Sequence, residues 1–334
     1  MKKILVIGGT GAMGVYLVPE LVKRGYQVDV PSLENILSKE GDNPYFFMTD
    51  MRDMDTLKRI LSKNYDAIID FMVWKTADFE ARYELFLNST DHYIYLSSYR
   101  IYAGDCPITE ESGRLLDVSD DADFLATEDY SLYKARGENM LKNSGKKNFT
   151  IVRPTITYSK FRYQLVTLEA QCVVNRAREG KTIVLPVEAA SVYGTMTWAG
   201  DVAKMFAGIL FNERAYGEAF TFATAEYHTW REIAEYYSEL AGLNAIWVDT
   251  KTYCDIISPN NPAVLYQLKY DRLFNRKIDN SKILSVAGLK QEDLMPLKEG
   301  LRLELSNLPK DHVFVDAGGT NARMDEYLAS LIKH

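Results

Sequence analysis

Residues 4–14, which read ILVIGGTGAMG, decide how this chain folds. The continuous apolar run at 4–7 predicts a short strand that is buried on both faces, as in a parallel sheet. Apolar residues recur with helical spacing over 15–24, and residues 27–30, QVDV, then read as a second strand. A strand, a glycine turn, a helix and a second strand form the unit that binds a dinucleotide diphosphate at the helix N-terminus.

The glycines of this turn are expected to have separate roles. Gly8 allows the tight turn, Gly11 lets the backbone approach a pyrophosphate, and Gly14 lets the helix lie close to the strand. The predicted cofactor-binding residues of the turn are Gly8, Thr10, Gly11, Ala12, Met13 and Gly14.

Strand and helix patterns continue to alternate after this unit. We predict strands at 45–48, 67–73 and 93–98 and helices at 54–64 and 78–88. This alternation predicts an α/β fold with a Rossmann-type, doubly wound parallel sheet and ligands at the carboxyl ends of its strands.

Two domains are expected, with a cleft for substrate between them. Residues 1–158 and about 194–225 are predicted to form the dinucleotide-binding domain. Residues of about 159–193 and 226–334 are predicted to form a smaller, mixed C-terminal lobe that binds substrate.

The composition excludes several classes of protein. The net charge of -7 argues against a basic nucleic-acid surface. The three cysteines, Cys106, Cys172 and Cys254, are too scattered for a disulfide framework or a metal site, and they favour a reducing, cytoplasmic location. No apolar run reaches the roughly 18 residues of a membrane span. We therefore expect a small-molecule substrate, and no metal, nucleic acid or membrane as a partner.

Tyr130 and Lys134 stand four residues apart, so they share a face if this segment is helical. A phenol with an ordinary pKa of about 10 is a poor acid or base at pH 7. A neighbouring ammonium favours the phenolate and lowers the pKa of such a phenol. The same spacing also occurs on ordinary amphipathic surface helices.

The order of several motifs resembles the extended short-chain dehydrogenase/reductase family, which includes NAD-dependent epimerases and dehydratases. The resemblance covers about residues 1 to 300. Besides the glycine turn, the matching segments are 50–53 (DMRD), 96–102 (LSSYRIY), 130–138 (YSLYKARGE), 151–155 (IVRPT), 200–203 (GDVA) and 279–282 (DNSK).

The resemblance implies an NAD(P)-dependent oxidoreductase or epimerase that acts on a hydroxyl or carbonyl carbon. Tyr130 would be the acid/base, Lys134 would lower the pKa of that phenol and bind the nicotinamide ribose, and Ser98 would orient the reacting oxygen. Further cofactor-binding residues would be Ser32, Asp50, Met51, Phe71, Met72, Tyr130, Lys134 and Pro154. Substrate-binding residues would be Tyr99, Arg100, Tyr158 and Lys269.

The coenzyme is left open between NAD and NADP, with NAD preferred. An acid at the end of the second strand would bind the ribose 2′-hydroxyl of NAD, and an arginine would favour NADP. Ser32 at this position is neither an acid nor an arginine, and the nearest acid, Glu34, follows two residues later. Glu138, one turn beyond Lys134, is expected to be its helical partner.

The chain also departs from the family pattern. Tyr99 and Arg100 replace the acid pair of sugar-nucleotide 4,6-dehydratases, which disfavours that activity. Gly194 replaces an arginine that clamps a substrate pyrophosphate, so a sugar or a sugar nucleotide stays open as the substrate. The alternative is a non-catalytic, dinucleotide-sensing or RNA-binding relative. The resemblance further implies a homodimer through the helix that carries Tyr130.

Overall fold

The structure, a computed structural model, describes residues 1–36, 38–39, 41–104 and 106–332. The strands are β1 (Lys3–Ile7), β2 (Gln27–Ser32), β3 (Tyr45–Met48), β4 (Tyr65–Asp70), β5 (Thr90–Leu96), β6 (Phe149–Pro154), β7 (Ile156–Tyr158), β8 (Thr182–Pro186), β9 (Tyr193–Gly194), β10 (Met196–Trp198), β11 (Ala219–Phe222), β12 (His228–Thr229) and β13 (Asn244–Val248). The helices are α1 (Gly14–Lys23), α2 (Met54–Leu61), α3 (Thr76–Glu80), α4 (Tyr83–Asn88), α5 (Leu115–Val118), α6 (Ala122–Leu125), α7 (Tyr130–Asn143), α8 (Ala170–Arg178), α9 (Ala199–Ile209), α10 (Trp230–Ala241), α11 (Thr250–Ile257), α12 (Ala263–Gln267), α13 (Ser281–Ala287), α14 (Leu297–Asn307) and α15 (Thr320–Leu331).

Seven strands form one parallel sheet in the order β11-β6-β5-β4-β1-β2-β3. This arrangement confirms the predicted fold class. The chain leaves β1 in one direction towards β2 and β3, and later returns to the other side of β1 with β4. The sheet therefore has its switch point between β1 and β4, where ligands bind in open α/β sheets.

The sheet is buried on both faces because successive side chains of β1 point to opposite sides. Ile4 and Val6 belong to a core cluster with residues of α1 and α9, whereas Leu5 and Ile7 join a cluster with α2, α4 and α7. This double burial explains why the first strand is a continuous apolar run.

A further core cluster contains residues of α8, α10, α11, α14 and α15 together with residues from the first half of the chain, such as Tyr99 and Ala135. The small two-stranded sheets are β7–β10 and β8–β13, which are parallel, and β9–β12, which is antiparallel. Helix α13 packs on α9 beside the central sheet. Within the described ranges, no helix combines the length and the apolar character needed to cross a bilayer.

Several predicted elements differ in their bounds: the strand predicted at 93–98 is Thr90–Leu96, and the helix predicted at 54–64 ends at Leu61. Strand β4 ends at Asp70, because the Asp70 side chain accepts a hydrogen bond from the amide of Met72 and turns the chain. The helix predicted at 78–88 is two short helices, α3 and α4, with Ala81 and Arg82 between them. Each contributes one phenylalanine to the ring of Tyr93.

Candidate active site

Two cavities open at the carboxyl edge of the sheet, on either side of the glycine turn. The inner cavity, of about 400 Å³, is lined by Met13, Phe71, Val73, Leu96, Ser98, Tyr99, Arg100, Tyr130, Pro154, Thr155, Ile156, Thr157, Arg162, Gln164, Glu169, Gln267 and Arg272. The outer cavity, of about 190 Å³, is lined by Ile7, Gly8, Thr10, Pro31, Ser32, Leu33, Glu34, Thr49, Asp50, Met51 and Met72. Because the turn contributes to both cavities, a dinucleotide could lie across it with one end in each.

The glycine turn has the geometry that a diphosphate needs. Gly8 has a φ of +76°, and its carbonyl accepts a hydrogen bond of 3.1 Å from the amide of Gly11. A Cβ at Gly11 would meet only the Gly8 carbonyl, at 3.4 Å, whereas one at Gly14 would lie 2.1 Å from the carbonyl oxygen of Gly9. Glycine is therefore needed at position 14 because the start of α1 lies close against the glycine turn itself. No side chain caps α1 at Met13, so the helix N-terminus suits an anion.

The outer cavity contains the predicted residues Ser32, Asp50, Met51 and Met72. The Ser32 hydroxyl accepts a hydrogen bond from the amide of Glu34, at 3.0 Å. Asp50 accepts one from the amide of Arg52, at 2.8 Å, so its carboxylate also shapes the local turn. The Glu34 side chain lines this cavity, and the lining contains no lysine or arginine.

Tyr130 is the first residue of α7, and Ser98 follows the end of β5, so the two side chains line the inner cavity from different elements. The α7 N-terminus is fixed by Asp129, which accepts hydrogen bonds from the amide and the hydroxyl of Ser131, at 2.9 and 2.7 Å. The Ser98 oxygen accepts a hydrogen bond from the amide of Arg100, at 3.2 Å. The Ser98 proton is still available to a ligand, since a hydroxyl donates one bond and accepts others.

Lys134 is fully buried behind the inner cavity. Its ammonium donates a hydrogen bond of 2.6 Å to the carbonyl of Leu96 and lies 5.8 Å from the centre of the Tyr130 ring. Burial lowers the pKa of Lys134 to about 8, while the charges of Asp70 and Glu138 oppose that shift. The pair predicted from sequence thus lies together, with the cation on the inner side of the phenol.

Glu138 acts on Lys134 through its charge, as expected of a helical partner, but its hydrogen bonds go to other residues. Its carboxylate is fully buried and accepts two hydrogen bonds from Arg153, at 2.8 and 2.7 Å. It also accepts one from the Ser97 hydroxyl, at 2.6 Å. A bidentate arginine is a better partner for a buried carboxylate than a lysine on the same helix. This pair ties α7 to β6, between which the inner cavity opens.

Replacing Glu138 with alanine is expected to lower the free energy of unfolding by about 3–5 kcal/mol, since it leaves Arg153 buried without its counter-ion. Urea unfolding followed by circular dichroism measures this loss. The matched control is Glu299→Ala, which removes an exposed carboxylate that pairs with Arg302 and should change stability by less than about 0.5 kcal/mol. A loss as small as that of the control would contradict a structural role for the buried pair.

Two of the four predicted substrate-binding residues, Tyr158 and Lys269, lie outside the lining of the inner cavity. Tyr99 and Arg100 line the inner cavity. Tyr158 does not, because it is fully buried with its hydroxyl against Gly300 of α14. Lys269 is also outside the cavity lining, where its ammonium bonds Asp121 at 2.8 Å. At Gly194 a side chain would collide with the ring of Trp230, so that position cannot hold a phosphate clamp.

Sequence reasoning missed several residues of the inner cavity, namely Gln164, Glu169, Gln267 and Arg272. Gln267 and Arg272 lie at the ends of a π-helical turn, Leu268–Arg272, which continues α12. Such turns are rare and often occur at functional sites. No local pattern reveals them, because their proximity to Ser98 arises only when the lobe folds onto the sheet.

The wall near Gln164 includes a strained residue. Val166 is buried and has a φ of +53°, a conformation that β-branched residues seldom adopt. Its carbonyl accepts a hydrogen bond of 2.7 Å from the Arg272 guanidinium. Strain of this kind persists where surrounding contacts impose it, and it clusters at functional sites.

Comparison with known proteins agrees with this geometry. The family model described as the NAD dependent epimerase/dehydratase family matches residues 4–220. The chloroplast stem-loop binding protein of 41 kDa b from Arabidopsis thaliana is 26% identical over 257 residues, which cover 72% of this chain and 64% of that protein. The chain thus matches less than two thirds of the length of this relative.

Solved structures share the fold at low identity. The dTDP-glucose 4,6-dehydratase from Bacillus anthracis, in complex with NAD, has a TM-score of 0.69 and 16% identity over 92% of this chain and 96% of its own. The UDP-glucose 4-epimerase from Thermotoga maritima, with UDP-glucose, has a TM-score of 0.64 and 16% identity over 91% and 97%. With the family model matching well over half of its length, this chain belongs to the NAD dependent epimerase/dehydratase family.

Proposed function

We propose that this protein is an NAD(P)-dependent oxidoreductase or epimerase that acts on a hydroxyl or carbonyl carbon of a sugar or sugar nucleotide. Tyr130 is the acid/base, Lys134 places a positive charge beside that phenol and binds the nicotinamide ribose, and Ser98 orients the reacting oxygen. The dinucleotide, when bound, accepts or donates the hydride.

One observation carries the proposal: Tyr130 and Ser98 line the same cavity, with the Lys134 ammonium 5.8 Å from the phenol ring. A hydroxyl group placed between Ser98 and Tyr130 can give its proton to Tyr130 while Ser98 holds its oxygen. The buried ammonium supports negative charge on the phenol, because few water molecules screen it there. Phe71, Leu96 and Pro154 supply apolar walls that exclude water from the reacting atoms.

The experiment that tests this proposal identifies what the purified protein carries. We expect the supernatant of heat-denatured protein to contain NAD or NADP, identified by chromatography and enzymatic assay. Retained NAD supports an epimerase, because both hydride steps of such an enzyme use the same bound molecule. A dinucleotide that is released and exchanged in every catalytic cycle supports a reductase. A protein that neither retains nor binds a dinucleotide would refute the proposal.

NAD is the preferred coenzyme in this proposal. The Glu34 carboxylate borders the outer cavity, where it would repel the 2′-phosphate of NADP. We expect Glu34→Gln to lower the ratio of the NADP dissociation constant to the NAD dissociation constant by about tenfold, as measured by calorimetry. Glu84→Gln, on an exposed face of α4, is the control and should leave the ratio unchanged. An unchanged ratio in Glu34→Gln would show that Glu34 is only a loop charge.

Elimination of water by a 4,6-dehydratase mechanism is disfavoured in this proposal. The two positions after Ser98 hold Tyr99 and Arg100, and the Tyr99 hydroxyl is occupied by Asp271 and Arg272, at 3.2 and 2.6 Å. The dehydratase from Bacillus anthracis is 16% identical to this chain, and a likeness at that level shows the shared fold alone.

A second candidate function is RNA binding without catalysis. The observation in its favour is the similarity to the Arabidopsis protein, whose name describes it as binding stem-loops. The net charge of -7 opposes it. Filter binding of a stem-loop RNA, with affinity falling steeply as salt rises, would favour this candidate over the first.

Association of two chains through the face of α7 is a further proposal, and light scattering tests it.

A further inference from the structure

Three arginines surround one buried carboxylate beside the inner cavity. Asp271 is fully buried, and its oxygens lie 3.4 Å from Arg100 Nε and 3.1 Å from Arg276 Nε. Arg272 contacts the same carboxylate. Arg272 and Arg276 are also buried, whereas the Arg100 guanidinium lines the cavity and keeps a small exposed fraction. We call Arg100, Arg272, Arg276, Asp271 and Asp129 the arginine cluster.

The charges of the arginine cluster do not balance. Its second acid, Asp129, lies 3.9 Å from Arg100 and is already used to cap α7. Three guanidinium groups and two carboxylates leave one positive charge. The other charged residues of the cavity lining, Arg162 and Glu169, lie 3.8 Å apart and offset each other. Lys134, behind the cavity, faces the carboxylates of Asp70 and Glu138.

A buried cation without a full counter-charge is unfavourable. Burial and the neighbouring Arg100 charge lower the pKa of Arg276 to about 10, and burial lowers that of Arg272. The nitrogen Arg100 Nε is buried beside the Asp271 carboxylate, 3.4 Å away, so the rest of the guanidinium is the part that borders the cavity. An anion in the cavity would supply the missing charge.

The positive charge of Arg100 lies near the atoms that react. Its guanidinium carbon lies 5.1 Å from the centre of the Tyr130 ring. An anion held by Arg100 would therefore lie close to the hydroxyl that Tyr130 deprotonates. A carboxylate matches the planar guanidinium and carries one charge, whereas a diphosphate carries more charge than the cluster leaves uncompensated.

We propose that the inner cavity binds a substrate with a single carboxylate near its reacting hydroxyl, such as a sugar acid, and that Arg100 recognises this carboxylate. This inference rests on the proposed function, since it names the substrate class of the same site. The neutral amide group of Gln267, which lines the cavity, would bind another hydroxyl of a sugar, whereas the Gln164 amide already bonds Glu169 and Arg272.

Calorimetric titration of the protein with D-glucuronate, D-glucose, glucose 6-phosphate and UDP-glucose, with and without NAD, tests the proposal. We expect glucuronate to bind about tenfold or more tightly than the three other probes, and Arg100→Gln to weaken it by about tenfold or more. Arg231→Gln, at an exposed position of α10, should keep the affinity of the unaltered protein.

Glucuronate that does not bind, that binds no better than glucose, or that binds Arg100→Gln equally well would overturn the proposal. Tighter binding of either phosphorylated probe would overturn the carboxylate assignment. Should Arg100→Gln fail to fold, Arg100→Lys replaces it, because it keeps the charge but loses the bidentate geometry. The NAD titration alone reports on the proposed function, so the two can fail separately.

Discussion

Replacing Tyr130 with phenylalanine should reduce turnover by about 10²–10⁴-fold while leaving dinucleotide affinity almost unchanged. The variant keeps the ring, which contacts Arg100 and Tyr133, and removes only the hydroxyl at the inner cavity. Without it, the substrate proton has no acceptor beside Ser98. Hydride transfer from a bound substrate, followed as the absorbance of the reduced nicotinamide, measures the loss.

The matched control is Tyr26→Phe. Tyr26 packs its ring on Phe211, far from the inner cavity, and the substitution likewise removes one phenolic hydroxyl. We expect the control to retain full turnover. If Tyr130→Phe matched the control, Tyr130 would have no role in proton transfer.

Replacing Lys134 with methionine should remove activity and yet make the fold more stable at pH 7. The pKa of Lys134 falls from 10.5 to about 8 on burial, which corresponds to a cost of about 3 kcal/mol for keeping the folded protein charged. The lost hydrogen bond to the Leu96 carbonyl opposes this by about 1 kcal/mol. We expect a net gain of about 2 kcal/mol in the free energy of unfolding.

The pH dependence of the free energy of unfolding distinguishes the removal of a buried charge from an improvement in packing. Between pH 8 and 10.5 the unfolded chain holds the Lys134 proton and the folded chain has lost it, so stability of the unaltered protein rises with pH. The advantage of Lys134→Met should therefore be fully present below pH 8 and shrink across this window. Urea unfolding at several pH values measures it.

Lys58→Met, at an exposed position of α2, is the control for this comparison. It should change neither activity nor the slope of stability with pH. An advantage of Lys134→Met that stayed constant up to pH 10.5 would contradict a depressed pKa for the buried ammonium.

The sequence predicted the sheet well because local patterns determine it. The continuous apolar run at Ile4–Ile7 and the glycines that follow are required by burial on two faces and by a tight turn. The break between α3 and α4 could not be predicted in this way, since residues 78–88 have helical spacing and contain no glycine or proline to mark a helix end.

The candidate site was predicted in part. Ser98, Tyr130 and Arg100 meet in one cavity, and each belongs to a motif that can be recognised locally. Lys269 was chosen by its place in the chain, yet the π-helical turn that contains it brings Arg272, and not Lys269, to the cavity. The buried ion pair of Glu138 with Arg153 could likewise not be predicted from the sequence, because the two residues belong to elements that meet only in the folded chain.

In the proposed function, Tyr130, Lys134 and Ser98 form a site for proton and hydride transfer with a dinucleotide bound across the glycine turn. A crystal structure of the protein with NAD would show whether the dinucleotide binds in this way. We expect the adenine in the outer cavity, the diphosphate at the N-terminus of α1, and the nicotinamide in the inner cavity beside Tyr130. A nicotinamide bound away from Tyr130 and Ser98 would contradict the proposal.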